Sequence, residues 1–412
     1  MIRAGLIVIV ILAAINARAQ GQSPAASPVA AKRELTIAGK PGELDILRKV
    51  SAASAFAAVV NEPAGVLAIA HAPQPTYTKA LPEHFDITDE PDLTLFKLDA
   101  QGEVGAAKPL RLPRAAKLVK RRQYPLALAT HPKLPLVYVW QDVVAPADGA
   151  TPDDFAGDGF KHLHIYDVSS PEPKLLQSAC GGETFSRGNA AAAIDLDRKA
   201  ARLFLPNMRR PAKTGFVSAI GYVKLRDDGL LADPTPAADA DAPKLSLFSE
   251  SPCGLGFHNL SDDITLVCAG LGPATWDESN RRGQLGVVTF FPAIGSGYRY
   301  RMVVHPTIPV VFLTGISTGA LFRVEHVDGF LTMWPQRATL TDALLTSPPV
   351  LLGKRPLLAC YGTGKLHLVG FDEAGLLNGE RVDIAPSPRK VEALAYSAKY
   401  DRLYLTMEEA KK

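Results

Sequence analysis

The residues best suited to chemistry lie in four groups. The segment Trp276-Asp277-Glu278-Ser279-Asn280-Arg281 puts an aromatic platform, two carboxylates and a guanidinium within six positions, on what reads as one exposed loop. That mix suits a polar or sugar-like ligand. A second group is basic: Lys117, Lys120, Arg121, Arg122, Arg187, Arg209, Arg210, Lys213, Arg281 and Arg282, with Asn207 beside it. If these converge, they make an anion-attracting mouth whose Arg forks fit carboxylate or phosphate. Read more simply, they solvate loops and pair with acidic segments. A third group is acidic. Asp142, Asp148, Asp153, Asp154 and Asp158 lie among glycines; clustered carboxylates can bind calcium, but this spacing is not that of an EF-hand, and a solvated acidic loop is the simpler reading.

The fourth group is the histidines. His71 and Asp142 stand where a general base would be needed, with arginines to hold an acid group and a developing oxyanion. His162 and His164 alternate on one strand, yet no third ligand is spaced to complete a metal site. His131 and His305 precede prolines and are expected to hydrogen-bond their own turns. Gly315-Ile316-Ser317-Thr318-Gly319 satisfies G-x-S-x-G, but strands flank it, whereas a nucleophile elbow needs a strand-to-helix turn. Haem-attachment, zinc-protease, phosphate-loop and dinucleotide motifs do not occur, and no cofactor is expected.

What must position these residues is a repeat. Leu126–Trp140 reads as two strands around His131-Pro132-Lys133-Leu134-Pro135, and Arg301–Gly315 repeats it with His305-Pro306 and Pro309. Anchored on Tyr138, equivalent positions are Ala68, Phe204, Val267, Phe312, Ala359 and Tyr404. In the second half they recur about every 45 residues, the length of a four-stranded propeller blade. The expected fold is all-β, a seven-bladed β-propeller over residues 34–412 forming one closed unit.

The inner hairpin of the last unit is read as Val391–Tyr396 and Arg402–Thr406, with Glu34–Ala38 and Leu44–Val50 left over at the other end. The N-terminal segment is therefore expected to complete the last blade, with Leu35-Thr36-Ile37 beside Tyr404-Leu405-Thr406; an open ring would expose sheet edges. The third strand of the fourth unit is placed at Gly286–Phe291. With the four strands of a unit lettered a to d from the innermost outward, the long insertions 70–92 and 141–161 fall on the face made by the b–c and d–a connections, where propeller ligands sit. Acidic turns ending in Gly follow third strands at Asp99–Gly102, Asp227–Gly229, Asp328-Gly329 and Asp372–Gly375.

Through Val223–Leu231, Leu368–Leu377, Phe96–Gly102 and the HPxxP hairpins, most of the chain resembles the seven-bladed lactonase-like propellers and their YVTN-repeat relatives. The resemblance implies the propeller fold and, in some members, hydrolysis of a sugar lactone. It carries no family catalytic residue onto this sequence.

Arg3, the apolar run Ala4–Ile15 and Ala17-Arg18-Ala19 form a signal peptide over residues 1–19, followed by an Ala/Ser/Pro-rich lead-in over 20–33. The chain is thus read as secreted or periplasmic. Its formal charge of +3 gives no reason to expect nucleic acid, and no membrane span is expected. Cys180 and Cys253 are the one plausible disulfide pair among four cysteines, with four buried thiols the equal alternative. The expected function is binding of a small polar or anionic ligand, or a protein partner, at the loop-rich face of a monomer. Lactonase-type hydrolysis and a periplasmic scaffold are the competing readings.

Overall fold

The computed structural model describes residues 33–34, 45–52, 55–71, 91–113, 123–143, 161–180, 194–196, 199–212, 215–232, 254–257, 264–269, 272–277, 300–315, 319–327, 330–331, 336–340, 345, 347–362, 364–384 and 391–407. Among them every regular element is a strand, and the strands lie in seven sheets.

Two short strands come first, β1 (Arg33–Glu34) and β2 (Leu47–Ser51). The first sheet is β3 (Ala55–Asn61), β4 (Val66–His71), β5 (Leu93–Leu98) and β6 (Val104–Leu110). The second is β7 (Gln123–Thr130), β8 (Leu136–Val143), β9 (Lys161–Asp167) and β10 (Lys174–Cys180). The third holds β11 (Asp195–Leu196), β12 (Arg202–Ala212) and β13 (Gly215–Lys224); the fourth, β14 (Gly254–Phe257), β15 (Ile264–Ala269) and β16 (Gly272–Asp277). In the fifth, β17 (Tyr300–Val304), β18 (Val310–Gly315) and β19 (Ala320–Val327) are followed by β20 (Phe330–Leu331) and β21 (Gln336–Thr339), both paired with β19. The sixth is β22 (Val350–Leu352), β23 (Leu357–Gly362), β24 (Lys365–Phe371) and β25 (Leu377–Ile384), with β1 on its outer edge. The seventh joins β26 (Val391–Ser397) and β27 (Arg402–Met407) to β2.

Within a sheet, consecutive strands are antiparallel neighbours, and composition follows their depth. The second strands β4 and β23 are buried along their whole length, which is why they read as continuous apolar runs rather than alternating ones. The outer strand β6 is mostly exposed and carries Gly, Ala, Lys and Pro instead. Lysine and proline on such an edge blunt it against pairing with another chain.

Apolar clusters lie between sheets. One joins sheets 1 and 2 through Ala68, Leu95, Val137 and Tyr166; another joins 2 and 3 through Tyr138, Ile165 and Leu203. Sheets 5 and 6 meet at Phe312, Leu358 and Phe371, and sheets 6 and 7 at Ala359, Leu368, Leu394 and Leu405. The last sheet also packs on the first, through Val50, Leu67, Ile69, Phe96 and Tyr404.

One joint recurs between successive sheets. The Tyr138 hydroxyl donates to the Gly229 carbonyl, 2.9 Å, in the Asp-Gly turn of the third sheet. Tyr404 of the last sheet does the same to Gly102 of the first, also at 2.9 Å. These turn glycines have φ of +77° (Gly102), +76° (Gly229) and +75° (Gly375). A Cβ on Gly229 would meet Leu136 at 2.5 Å, one on Gly102 would meet Tyr400 at 2.7 Å, and one on Gly375 would meet Ile308 at 2.8 Å. So the repeated anchor and the repeated Gly turn are two halves of one contact, made across sheets.

Outer-strand glutamines reinforce it. Gln177 accepts from the Leu231 amide at 2.8 Å, and Gln336 accepts from Leu377 at 2.7 Å and donates back to its carbonyl at 3.0 Å. Asp99 and Asp372 shape their turns, each accepting two backbone N–H groups through Oδ1.

The N-terminal strand differs from its expected register. Tyr404, Leu405 and Thr406 pair with Arg48, Lys49 and Val50, in parallel, and β26 takes the other edge of β27. The physical reason is direction. Strand β2 is followed after three residues by β3 of the first sheet and runs parallel to β27, so it travels as an outer strand does while lying third in its sheet. Residues 35–37 lie outside the described residues. Glu34 instead pairs opposite Arg381 of the sixth sheet, and Arg33 opposite Glu380.

Candidate functional site

The b–c ends of the first two sheets carry the roots of the two long insertions. His71 closes β4 and is nearly buried. One ring nitrogen, Nε2, lies 2.8 Å from the Thr94 hydroxyl. Its backbone N–H donates to the Asp92 carbonyl at 2.9 Å, and the Asp92 carboxylate accepts from the Leu112 amide at 2.9 Å. The insertion is therefore clamped where it leaves and re-enters the sheet.

The second sheet repeats the arrangement with the roles exchanged. Thr94 stands opposite Ile69, and His164 opposite Val139, the same ladder position. His164 Nε2 is 2.7 Å from Gln141 Oε1, and Nδ1 is 3.0 Å from the Ser178 hydroxyl. The amide oxygen can only accept, so Nε2 carries the proton and Nδ1 accepts from Ser178. Both nitrogens are used, which removes His164 from the metal pair considered with His162.

A third polar inlay lies in the sixth sheet. Cys360, His367 and Asp383 stand in register across three strands. His367 Nδ1 donates to Asp383 Oδ1 at 2.9 Å. Arg381 grips the same carboxylate, at 2.7 Å through Nη2, and also donates to the carbonyls of Thr339 and Leu340 in the fifth sheet. Burial lowers the His367 pKa despite Asp383. For Asp383 burial works upward, but the hydrogen bonds from Arg381 and His367 bring the carboxyl below its ordinary value. Burial pushes the Cys360 thiol up to about 12. A thiol that stays protonated is no nucleophile, so this Cys–His–Asp row is structural chemistry that braces sheet 5 against sheet 6. Sequence reasoning missed it; its signal was His367 inside the otherwise apolar run Leu366–Phe371, at the ladder position of Cys360 and Asp383.

The remaining candidates fall as follows. Asp142 lies within β8, opposite Tyr124, because that strand continues to Val143. Asn207 sits where the β12–β13 register slips between Leu205 and Met208, and Arg209 and Arg210 pair opposite Ser218 and Val217. They belong to a long hairpin rather than to a loop. Trp276 and Asp277 are likewise in strand β16, opposite Thr265 and Ile264, not on an exposed loop as expected. The reason is that Gly272–Asp277 folds straight back on Ile264–Ala269, so the third strand arises earlier than Gly286–Phe291, a segment outside the described residues. Arg122, Arg187, Arg281 and Cys253 also lie outside them, as do the interiors of both insertions and residues 1–32. Cys180 is on outer strand β10, not at the entry to an inner strand, and Cys360 is a buried free thiol. His131 and His305 cap their turns as expected. His131 Nδ1 accepts from the Lys133 and Leu134 amides at 3.1 and 3.0 Å, and His305 Nδ1 from Thr307 and Ile308 at 3.2 and 3.3 Å. No helix of the described residues is long and apolar enough to cross a membrane.

Known structures share this architecture. A chain of the mitotic checkpoint complex is 12% identical, with a TM-score of 0.52 over 95% of this chain and 98% of that one. The β-propeller domain of Myceliophteria thermophila Cps50 (Swd1) is 9% identical, with a TM-score of 0.50 over 85% and 92%. A chain of the COPII outer coat vertex on membranes is 11% identical, with a TM-score of 0.55 over 87% and 82%. No family model and no curated protein matches the sequence. At these identities the likeness concerns fold, and on that ground the chain is an all-β propeller.

Proposed function

We propose that this chain is a seven-bladed propeller, closed by its own N-terminal strand, that binds a partner protein at its loop-bearing face after export directed by residues 1–19. The observation that carries this reading is where the polar side chains of the sheets are spent. His71 is held by Thr94, His164 by Gln141 and Ser178, His367 by Asp383, and His131 and His305 by their own turns. A hydrolase would instead aim a base into a cleft beside convergent donors. With these five histidines committed inside the sheets and their turns, recognition falls to the loops, as in a binding platform.

Seven sheets, and a Tyr404–Gly102 joint of the same kind as Tyr138–Gly229, support the closed ring. The similar solved chains belong to a checkpoint complex and a membrane coat, which agrees with a role in assembly. The long β12–β13 hairpin, with Asn207, Arg209 and Arg210, favours one second reading: a small anionic ligand held on that arm. Sugar-lactone hydrolysis would be that reading's chemical extension, with His71 or Asp142 as base.

A photo-crosslinking residue placed at Asp142 or Arg209 in the exported protein tests the proposal, with Leu376 on the opposite face as control. The expected result is one protein captured from the first two positions alone, which then binds the purified chain. Thermal stabilisation by sugar acids, or turnover of their lactones, abolished by Arg209→Ala and without any captured protein, would replace the partner reading with the ligand reading.

A further inference from the structure

The HPxxP turns place a titrating group where other sheets use a non-titrating one. His131 and His305 follow the innermost strands of sheets 2 and 5, and each imidazole accepts two backbone N–H groups through Nδ1. An acceptor Nδ1 needs its lone pair, so each ring must be neutral with the proton on Nε2. The corresponding cap in the first sheet is Asn61, whose Oδ1 accepts from the Ala64 amide at 2.9 Å. In the last sheet it is Ser397, whose hydroxyl accepts from Tyr400 at 3.4 Å. Each histidine turn also carries a residue of the inter-sheet joint: Leu134 lies against Gly229, and Ile308 against Gly375.

We propose that His131 and His305 are acid-sensitive latches: protonation at Nδ1 expels the ring from its turn and loosens the joints between sheets 2 and 3 and between sheets 5 and 6, while those capped by Asn61 and Ser397 hold. The charged group acting on His131 is Lys133 on its own turn; Glu62 of the neighbouring hairpin is turned to Ser397 and Lys399 of the last sheet, and on the Gly229 turn that meets Leu134, Arg226 pairs with Asp228. Facing His305 is the Phe371 ring, edge-on at 5.6 Å, with Asp372 and Glu373 next to it in sequence. Burial lowers the pKa of both histidines, and Lys133 adds to this for His131. With folded values below the unfolded one, the unfolded chain binds more protons in between. The stabilisation is therefore complete above about pH 6.5 and fades as pH falls toward the depressed values.

Hydrogen exchange of the full chain between pH 7.5 and 5, corrected for intrinsic exchange, tests this. Peptides spanning 131–136 and 305–310 should lose protection roughly tenfold across that range, while one spanning 61–66 does not. His131→Asn with His305→Asn, which copies the Asn61 cap, should remove the dependence. Unchanged protection in the wild type, or the same loss in the Asn variants, would overturn the proposal; if the double variant does not fold, the wild-type comparison with 61–66 decides it.

Discussion

Tyr138 and Tyr404 owe their effect to a single hydroxyl each. Burial raises both phenol pKa values well beyond the ordinary 10.0, so neither loses its proton and each remains a donor to a turn carbonyl. Tyr138→Phe and Tyr404→Phe should each cost about 1–2 kcal/mol, the loss of a buried hydrogen bond whose acceptor stays behind, measurable by urea denaturation. The glycines with positive φ divide into two kinds. Gly364 also has φ of +77° but open space around it, so Gly364→Ala should cost only about 1–2 kcal/mol of backbone strain. At Gly102 the same change adds a collision with the Cβ of Tyr400, an atom fixed to the main chain, and should cost more than Gly364→Ala in the same urea experiment. Both halves of this joint were visible in the sequence, as an anchor residue and an acidic Gly turn. Their meeting was not, because the partners stand 91 and 302 residues apart.

Strand β2 shows what periodicity cannot decide at the level of an element. Glu34–Ala38 and Leu44–Val50 both read as strands completing the last sheet, the first of them beside Tyr404–Thr406, but it is Leu47–Ser51 that takes that place. Val50 then lies in the core with Leu67 and Tyr404, whereas Lys49 faces out. Val50→Asp should destabilise the protein by about 3 kcal/mol or more, and Lys49→Asp should stay within about 0.5 kcal/mol, in thermal unfolding. Neighbouring hairpins tie in the same region. Arg355 of the sixth sheet pairs with Asp401 of the seventh at 2.7 Å, and Tyr396 donates to the same carboxylate at 2.8 Å. Arg355 first, then Tyr396, holds the Asp401 carboxyl below its ordinary value. That stabilisation is present above the unfolded value near 3.9 and disappears as pH falls through the folded one. Asp401→Asn should therefore be less stable than wild type at pH 7, with the gap closing as pH falls through the depressed folded value. Asn also tolerates the left-handed φ of +52° at this position, so charge alone is tested.

For the molecule as a whole, the all-β propeller class was legible because a hairpin repeats, turn and all, along the chain. The candidate site was much less so. Trp276, Asp277 and Arg209 were read as loop residues, since strand ends leave little trace where a hairpin simply continues past its neighbours. If sheet 7 meeting sheet 1 makes one cooperative body, Leu203→Ala and Leu405→Ala, on opposite sides of it, should each cost about 2–5 kcal/mol and shift a single unfolding transition. Separate transitions by fluorescence and circular dichroism would describe a stack that melts sheet by sheet.

The β2–β27 pairing has a consequence for how the protein is made. Leu47 and Leu403, partners in register, leave the ribosome roughly 20–70 s apart at ordinary elongation rates. Until the last residues emerge, Val50 has Leu67, Ile69 and Phe96 beside it but not Ala395 or Tyr404, so the edge where the chain's two ends meet is the part finished last.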